Sequence, residues 1–194
     1  MIGAIVLAAG RSTRMGMPKM LLPWGNETIV EHVIAALMQC GLSEIVVVSG
    51  GDSALVEAKL QGQSVHTVFN PNFAQGEMLS SVQVGLKNLP PTCAGALICL
   101  GDQPQIQPEV VQNLIAMADS GGASLAAPSF QNHRGHPWLV SRCYWPEILV
   151  LQPPLTLKDF LRAHSGQISY LCVDTPSVLM DVDTPDEYAQ QRPA

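Results

Sequence analysis

The chain has 194 residues, 47% of them hydrophobic and only 13% charged, with a net charge of −6. This is about one domain's worth of chain with enough apolar surface for a substantial core, and 1–194 is read as one unit. The acidic balance excludes a general nucleic-acid binder, which needs a broad basic face. No apolar stretch reaches membrane-spanning length, since Cys93 to Leu100 is interrupted by Gly95 and ends at Gly101-Asp102.

Met1-Ile2 leads directly into Gly3–Leu7, an apolar run with the length and β-branched content of a buried strand. No basic region or cleavage site of a signal peptide precedes it. Thr28 and Glu31 form a capping box for a helix whose apolar positions Ile29, Val33, Ile34, Leu37 and Met38 share one face. Gly41 ends that helix and Glu44–Ser49 is the next strand. Asp52 or Ser53 caps a helix to about Leu60, Val65–Phe69 is a third strand, and Ser80–Leu89 is helical. Ala94–Leu100 is apolar enough to be central; Pro108 opens a helix reaching Ala118, and Ser124–Ala127 is a short strand. Trp138–Val140 (strand), Thr156–Ala163 (helix), Ile168–Val173 (strand) and Pro185–Gln191 (helix) complete the pattern. Such alternation implies a three-layer α/β/α fold around a mostly parallel sheet. Cys40, Cys93, Cys99, Cys143 and Cys172 include no CxxC pair, which fits a reducing cytoplasm, with Cys99 and Cys172 as small core residues.

Ligands of such sheets bind outside the carboxyl ends of the strands, and three unusual clusters fall there. After Leu7 comes Ala8-Ala9-Gly10-Arg11-Ser12-Thr13-Arg14-Met15-Gly16-Met17-Pro18-Lys19. Its small residues let backbone N–H groups approach a ligand and form an anion nest, while Arg11, Arg14 and Lys19 surround the nest with positive charge. The spelling is neither GxxxxGK[ST] nor GxGxxG. Leu100-Gly101-Asp102-Gln103-Pro104 places a carboxylate just past the most hydrophobic strand. Asp181-Val182-Asp183-Thr184-Pro185 offers a second acidic cluster. Either cluster alone reads as ordinary capping. Beside the cationic loop, Asp102 and Asp183 make a candidate Mg²⁺ site, because Mg²⁺ takes one or two carboxylates plus phosphate oxygens and water. Residues 181 and 183 alternate along an extended segment, so one of them at most is expected to face the metal. Arg134-Gly135-His136-Pro137, past the strand ending at Ala127, can face the same crevice.

From Leu7 to Lys19 the loop resembles, residue for residue, the signature LAAG-x-S-x-R-M-G-x-x-K of the MobA-like nucleotidyltransferase family, of the molybdenum-cofactor type. The resemblance extends across nearly the whole chain. It implies a Rossmann-like fold of the nucleotide-diphospho-sugar transferase type. Leu7, Ala8, Ala9, Gly10, Arg11 and Ser12 would hold the nucleotide, and Lys19, Arg14 and Asp102 would be catalytic. Asp102 and Asp183, rather than Asp181, align with the metal-binding positions. Asn70-Pro71 through Ser81 is similar to the segment facing the nucleobase, with Gly76, Ser80 and Ser81 reading the base edge; a helix cap by Ser80 is the plainer alternative. The RGHP stretch recurs in the cytidylyl-transferring members, on the side where the second substrate enters, and gives Arg134 and His136 to the acceptor. LAAG, where guanylyl enzymes tend to read LAGG, and the GDQP/RGHP pair favour CTP. The activity implied is Mg²⁺-dependent transfer of CMP to the terminal phosphate of molybdopterin, with a molybdoenzyme or its chaperone receiving the cofactor. Two alternatives stay open: another phosphorylated acceptor such as a sugar phosphate, and a non-catalytic nucleotide-binding or delivery module. The module has no need for carboxylates beside phosphates.

Overall fold

The structure is a computed structural model that describes residues 1–10, 12–74 and 77–193, so Arg11 and Gly76, assigned above to the nucleotide, lie outside the described residues. In chain order it contains β1 (Ile2–Ala8), β2 (Pro23–Trp24), β3 (Glu27–Thr28), α1 (Ile29–Gln39), β4 (Ile45–Ser49) and α2 (Ser53–Lys59). There follow β5 (His66–Phe69), α3 (Glu77–Asn88), β6 (Gly95–Leu100), α4 (Pro108–Asp119), β7 (Leu125–Phe130), β8 (His133–Arg134) and β9 (Trp138–Ser141). The chain then forms α5 (Trp145–Val150), α6 (Leu157–Ala163), β10 (Ile168–Cys172) and α7 (Pro185–Gln191). Among the described residues, no helix is long and apolar enough to cross a membrane.

Local chemistry explains the boundaries. Glu31 accepts hydrogen bonds from the Thr28 backbone N–H at 2.8 Å and the Thr28 hydroxyl at 2.6 Å, the capping box that starts α1. Gly41, at φ +83°, stops that helix in the left-handed region. Helix α3 begins at Glu77, three residues before the expected start, so Ser80 sits inside the helix and caps nothing. Leu79, Val82 and Leu86, all buried, form a helical stripe that takes in a residue before Ser80.

The main sheet runs β10-β7-β9-β6-β1-β4-β5, with β8 paired to β7. Strands β10, β7, β6, β1, β4 and β5 share one direction; β9 is inserted antiparallel to both of its neighbours. The sheet is therefore mostly parallel as expected, but the reversed strand and the short helix α5 were not foreseen. Alternate residues of β1 serve two cores. Ala4, Val6 and Ala8 pack with α1, α2 and α4, whereas Ile5 packs with α3, α5 and α6. Cys99 is buried, but Cys172 is exposed, a correction that follows from β10 being an edge strand with a neighbour on one side only.

Strand β1 is the topological switch point. The chain steps from β1 to β4 and β5 on one side, then returns to place β6 on the other. The loops after β1 and β6 consequently part and leave a crevice between them. Two glycines let the chain pass close to the end of β1, one on the β6 side and one on the β4 side. A Cβ on Gly101 would lie 2.9 Å from the Leu7 carbonyl oxygen, and one on Gly50 would lie 2.4 Å from the Ala9 carbonyl oxygen.

Candidate active site

The crevice is a cavity of about 380 Å³ whose wall includes Leu7, Ala9, Gly10, Arg14, Lys19 and Asp102. Ala8 does not line it; its methyl joins the core. Ser12 stands at φ +50°. Its carbonyl accepts from Met15 N–H at 3.1 Å and Gly16 N–H at 3.0 Å, and its hydroxyl accepts from Lys19 N–H at 3.1 Å. The Ser12 side chain thus staples the loop closed and delivers Lys19 to the cavity.

Lys19 is the centre of the site. Its side chain is only 9% exposed, and its ammonium donates to Asp102 and, at 2.7 Å, to Asp183. Arg14, 70% exposed, reaches the other Asp183 oxygen at 2.6 Å. Burial alone would lower the Lys19 pKa, but the two carboxylates outweigh it and hold the ammonium above its usual range. Burial opposes charge on Asp183 as well, yet Lys19 and Arg14 keep that carboxyl below the usual carboxylate range. Asp181 behaves oppositely. Burial, with the charges of Asp102 and Asp183, pushes it up despite a 2.6 Å hydrogen bond from Gln103. Both 181 and 183 border the cavity, but only Asp183 joins the Lys19 chain of charges.

The C-terminal segment is brought to the site by its middle residue. Val182 is fully buried in a cluster with Met15, Leu22, Trp24 and Ile29. Its N–H donates to the Asp102 carbonyl at 2.9 Å. The Asp183 and Thr184 N–H groups donate to Glu187 at 3.0 and 2.9 Å, the capping box of α7. Asp183 is thereby fixed on both sides, against the glycine loop and against the Asp102 turn.

Across the cavity, Ser81 lines the wall with Phe73 and Met78. Asn70, fully buried, donates to the hydroxyl oxygens of Ser80 and Ser81, each at 2.9 Å, while its own carbonyl accepts from Asn72 N–H at 2.9 Å. These bonds leave the hydroxyl protons free to point elsewhere. The resemblance puts Asn70 in the segment that faces the nucleobase, but no spacing in the sequence shows that its buried amide would orient both serines.

Arg134 and His136 are not in the cavity wall. Arg134 lies over the Trp138 ring at 5.4 Å, and His136 stacks on the same ring with centroids 4.2 Å apart. His136 Nδ1 is 3.4 Å from the Ile98 carbonyl, so Nδ1 carries the proton and Nε2 is left as an acceptor. Burial drives its pKa down to about 4, aided by Arg134, so the ring is neutral at pH 7. The unfolded chain takes up this proton near pH 6.5 while the folded chain resists it, so stability falls as pH drops from about 6.5 to 4. The full loss is about 3 kcal/mol. Urea melts at pH 7 and 4.5 should show His136→Gln losing clearly less than the parent; equal losses would remove His136 as the cause.

The donor set fits a hard divalent cation in part. Asp102 and Asp183 already converge on one positive group, and their oxygens suit Mg²⁺ or Mn²⁺. Among the described residues no group of three His, Cys, Asp or Glu side chains is arranged to hold a metal. The chain thus supplies two carboxylates and leaves further ligands to phosphate and water.

Molybdenum cofactor cytidylyltransferase of Escherichia coli K12 is 28% identical over 195 residues, 96% of this chain and 93% of that protein. Rv0371c from Mycobacterium tuberculosis H37Rv superposes with a TM-score of 0.83 at 29% identity, covering 97% of this chain and 96% of that one. A structure of Rv0371c in complex with manganese gives 0.80 at 29% identity and the same coverage. A nucleotidyl transferase from Methanothermobacter shares the fold, with a TM-score of 0.84 over 99% of this chain and 96% of that one at 23% identity. With residues 4–168, most of its length, matching the family model, the chain belongs to the MobA-like NTP transferase domain family.

Proposed function

We propose that this nucleotidyltransferase moves CMP from CTP to the terminal phosphate of molybdopterin, with Mg²⁺ as its cation and pyrophosphate as the leaving product. The observation that carries the reading is the Lys19–Asp102–Asp183–Arg14 chain of charges at the open ends of β1 and β6. The likeness to the E. coli cytidylyltransferase over 96% of the chain supports the nucleotide and the acceptor. The manganese-bound neighbour supports a divalent cation. The five cysteines are free thiols, which suits a reducing cytoplasm.

An oxygen of the acceptor phosphate attacks the α-phosphorus; that P–O bond forms as the bond to the β-phosphate oxygen breaks, and the electron pair leaves with pyrophosphate. A phosphate nucleophile is already anionic at neutral pH, so no general base is needed. Catalysis is positioning and charge stabilisation. The backbone at Ala9 and Gly10 meets the phosphates, and Arg14, exposed and tethered at one oxygen only, swings to the leaving group. Lys19 meets the α-phosphoryl. Asp102 and Asp183 would hold Mg²⁺, which supplies charge against the triphosphate. Arg14 and Lys19 against Asp102, Asp181 and Asp183 leave the described wall of the cavity no net positive charge, so the phosphates need that cation. Arg134 and His136 are proposed to face the acceptor, the one as cation and the other as a neutral hydrogen-bond acceptor at Nε2.

Pyrophosphate release is measured with Mg²⁺, each of the four nucleotides, and molybdopterin or a sugar phosphate. Release with CTP and molybdopterin alone supports the proposal, release only with a sugar phosphate replaces the acceptor, and none with any pair removes it. In competition CTP should win over GTP. Ala9 borders the cavity, and one methyl there contributes about 1–3 kcal/mol of the discrimination, so Ala9→Gly should narrow it. GTP winning with the unmutated protein ends the cytidylyl reading.

A further inference from the structure

We propose that the Lys19 ammonium is the resident cation of the Asp102–Asp183 pair in the nucleotide-free protein. A divalent cation then gains those carboxylates only as nucleotide phosphates draw Lys19 away. The inference rests on the reading of this cavity as a metal–nucleotide site.

The occupancy of the carboxylates carries it. Both oxygens of Asp183 are engaged, Oδ1 by Lys19 at 2.7 Å and Oδ2 by Arg14 at 2.6 Å, and Asp102 Oδ2 also receives Lys19. A dication arriving alone meets carboxylate oxygens already drawn to two cations, so it must crowd the ammonium at close range or displace it. The other carboxylate bordering the cavity, Asp181, already accepts from Gln103 and is pushed toward its neutral form. Lys19 is poorly hydrated there, its side chain being 9% exposed against 70% for Arg14, so water compensates the ammonium little for the loss. Its backbone cannot retreat, because Ser12 holds the Lys19 N–H and Leu22 N–H bonds back to the Lys19 carbonyl at 3.2 Å. Only the side chain can move, and the cavity in front of it is where a phosphate would stand. A phosphate gives the ammonium a new anion at the moment the carboxylates are released. Metal and nucleotide binding are therefore coupled, and the coupling is reciprocal. Lys19 thus has two successive posts, counter-ion before binding and phosphate contact after it.

The test is direct Mn²⁺ binding, followed by the electron paramagnetic resonance signal of free Mn²⁺, with neither acceptor nor turnover required. The unmutated protein should bind Mn²⁺ weakly alone. Lys19→Met should bind it at least about fivefold more tightly without nucleotide, within the usual range of coupling between sites. Adding Asp102→Asn to Lys19→Met should abolish the gain and so locate it. Lys19→Gln, which keeps an N–H donor between the carboxylates, serves if the Met variant does not fold. A neutral variant that binds Mn²⁺ no more tightly than the parent overturns the proposal, as does a parent protein that binds Mn²⁺ as tightly alone as with nucleotide. The nucleotide-free comparison between parent and variant is independent of which nucleotide the enzyme uses. Failure of the CTP reading would instead appear as another nucleotide, and not CTP, tightening Mn²⁺ binding.

Discussion

Lys19→Ala should lower kcat by about 10²–10³, the usual cost of losing one preorganised contact to transition-state charge. It should also weaken the fold, in contrast to what its place in a glycine loop leads one to expect. Its side chain is buried, and without it Asp102 and Asp183 face each other with Arg14 as the remaining cation. Both carboxylates keep some access to water, at 17% and 23% exposure, so the loss is nearer the roughly 1–3 kcal/mol of an unsatisfied polar group than the cost of a fully buried broken pair. Arg14→Ala separates the two effects. Its ion pair lies on an arm 70% exposed, which contributes about 0–1 kcal/mol, so activity should fall while the urea midpoint stays. Initial rates and urea melts on the same preparations decide this. A Lys19→Ala protein with parental kcat would remove the loop from the chemistry.

Asp102→Asn should lose Mg²⁺-dependent turnover by a similar factor of about 10²–10³, with the thermal transition moved little. The amide oxygen can still accept from Lys19, which also retains Asp183, so no buried cation is orphaned. What disappears is one of the two carboxylates available to the metal. The backbone role of the residue, accepting from Val182 N–H, is untouched. Rates measured across a Mg²⁺ series distinguish weakened cation binding from misfolding. Parental activity at ordinary Mg²⁺ would mean that Asp102 serves only the turn after β6.

The sequence reveals most about segments whose chemistry is local. Thr28 and Glu31 announce α1 because a capping box is a matter of four consecutive residues, and the apolar run before Gly101 announces β6 because a strand covered on both faces needs no polar alternation. Strand β9 is different. Trp138–Ser141 is apolar in either direction of travel, and its reversal follows from pairing with β6 and β7, which no short window contains. Helix α5 is six residues long and opens with Trp145-Pro146, too brief for a period to register. At the site, Lys19, Asp102 and Asp183 are recognisable as charges at strand ends and motif positions, but not as one bonded chain. Asn70 is legible as part of the segment that resembles the nucleobase-facing one, but not as the amide that holds two serines. Arg134 and His136 are given to the acceptor by the RGHP resemblance and by their place past a strand, and in the structure both pack on Trp138.

The burial of Val182 has a bearing on synthesis. Every strand of the main sheet is complete by Cys172, so a nascent chain halted soon afterwards could pair its whole sheet. It would still lack the apolar plug that closes over Met15 and Trp24, together with the carboxylate that shares Lys19. The polymer would have its architecture before it had its reactive centre. Termination between positions 173 and 182 should yield a product that spectroscopy reports as ordered and assays report as inert.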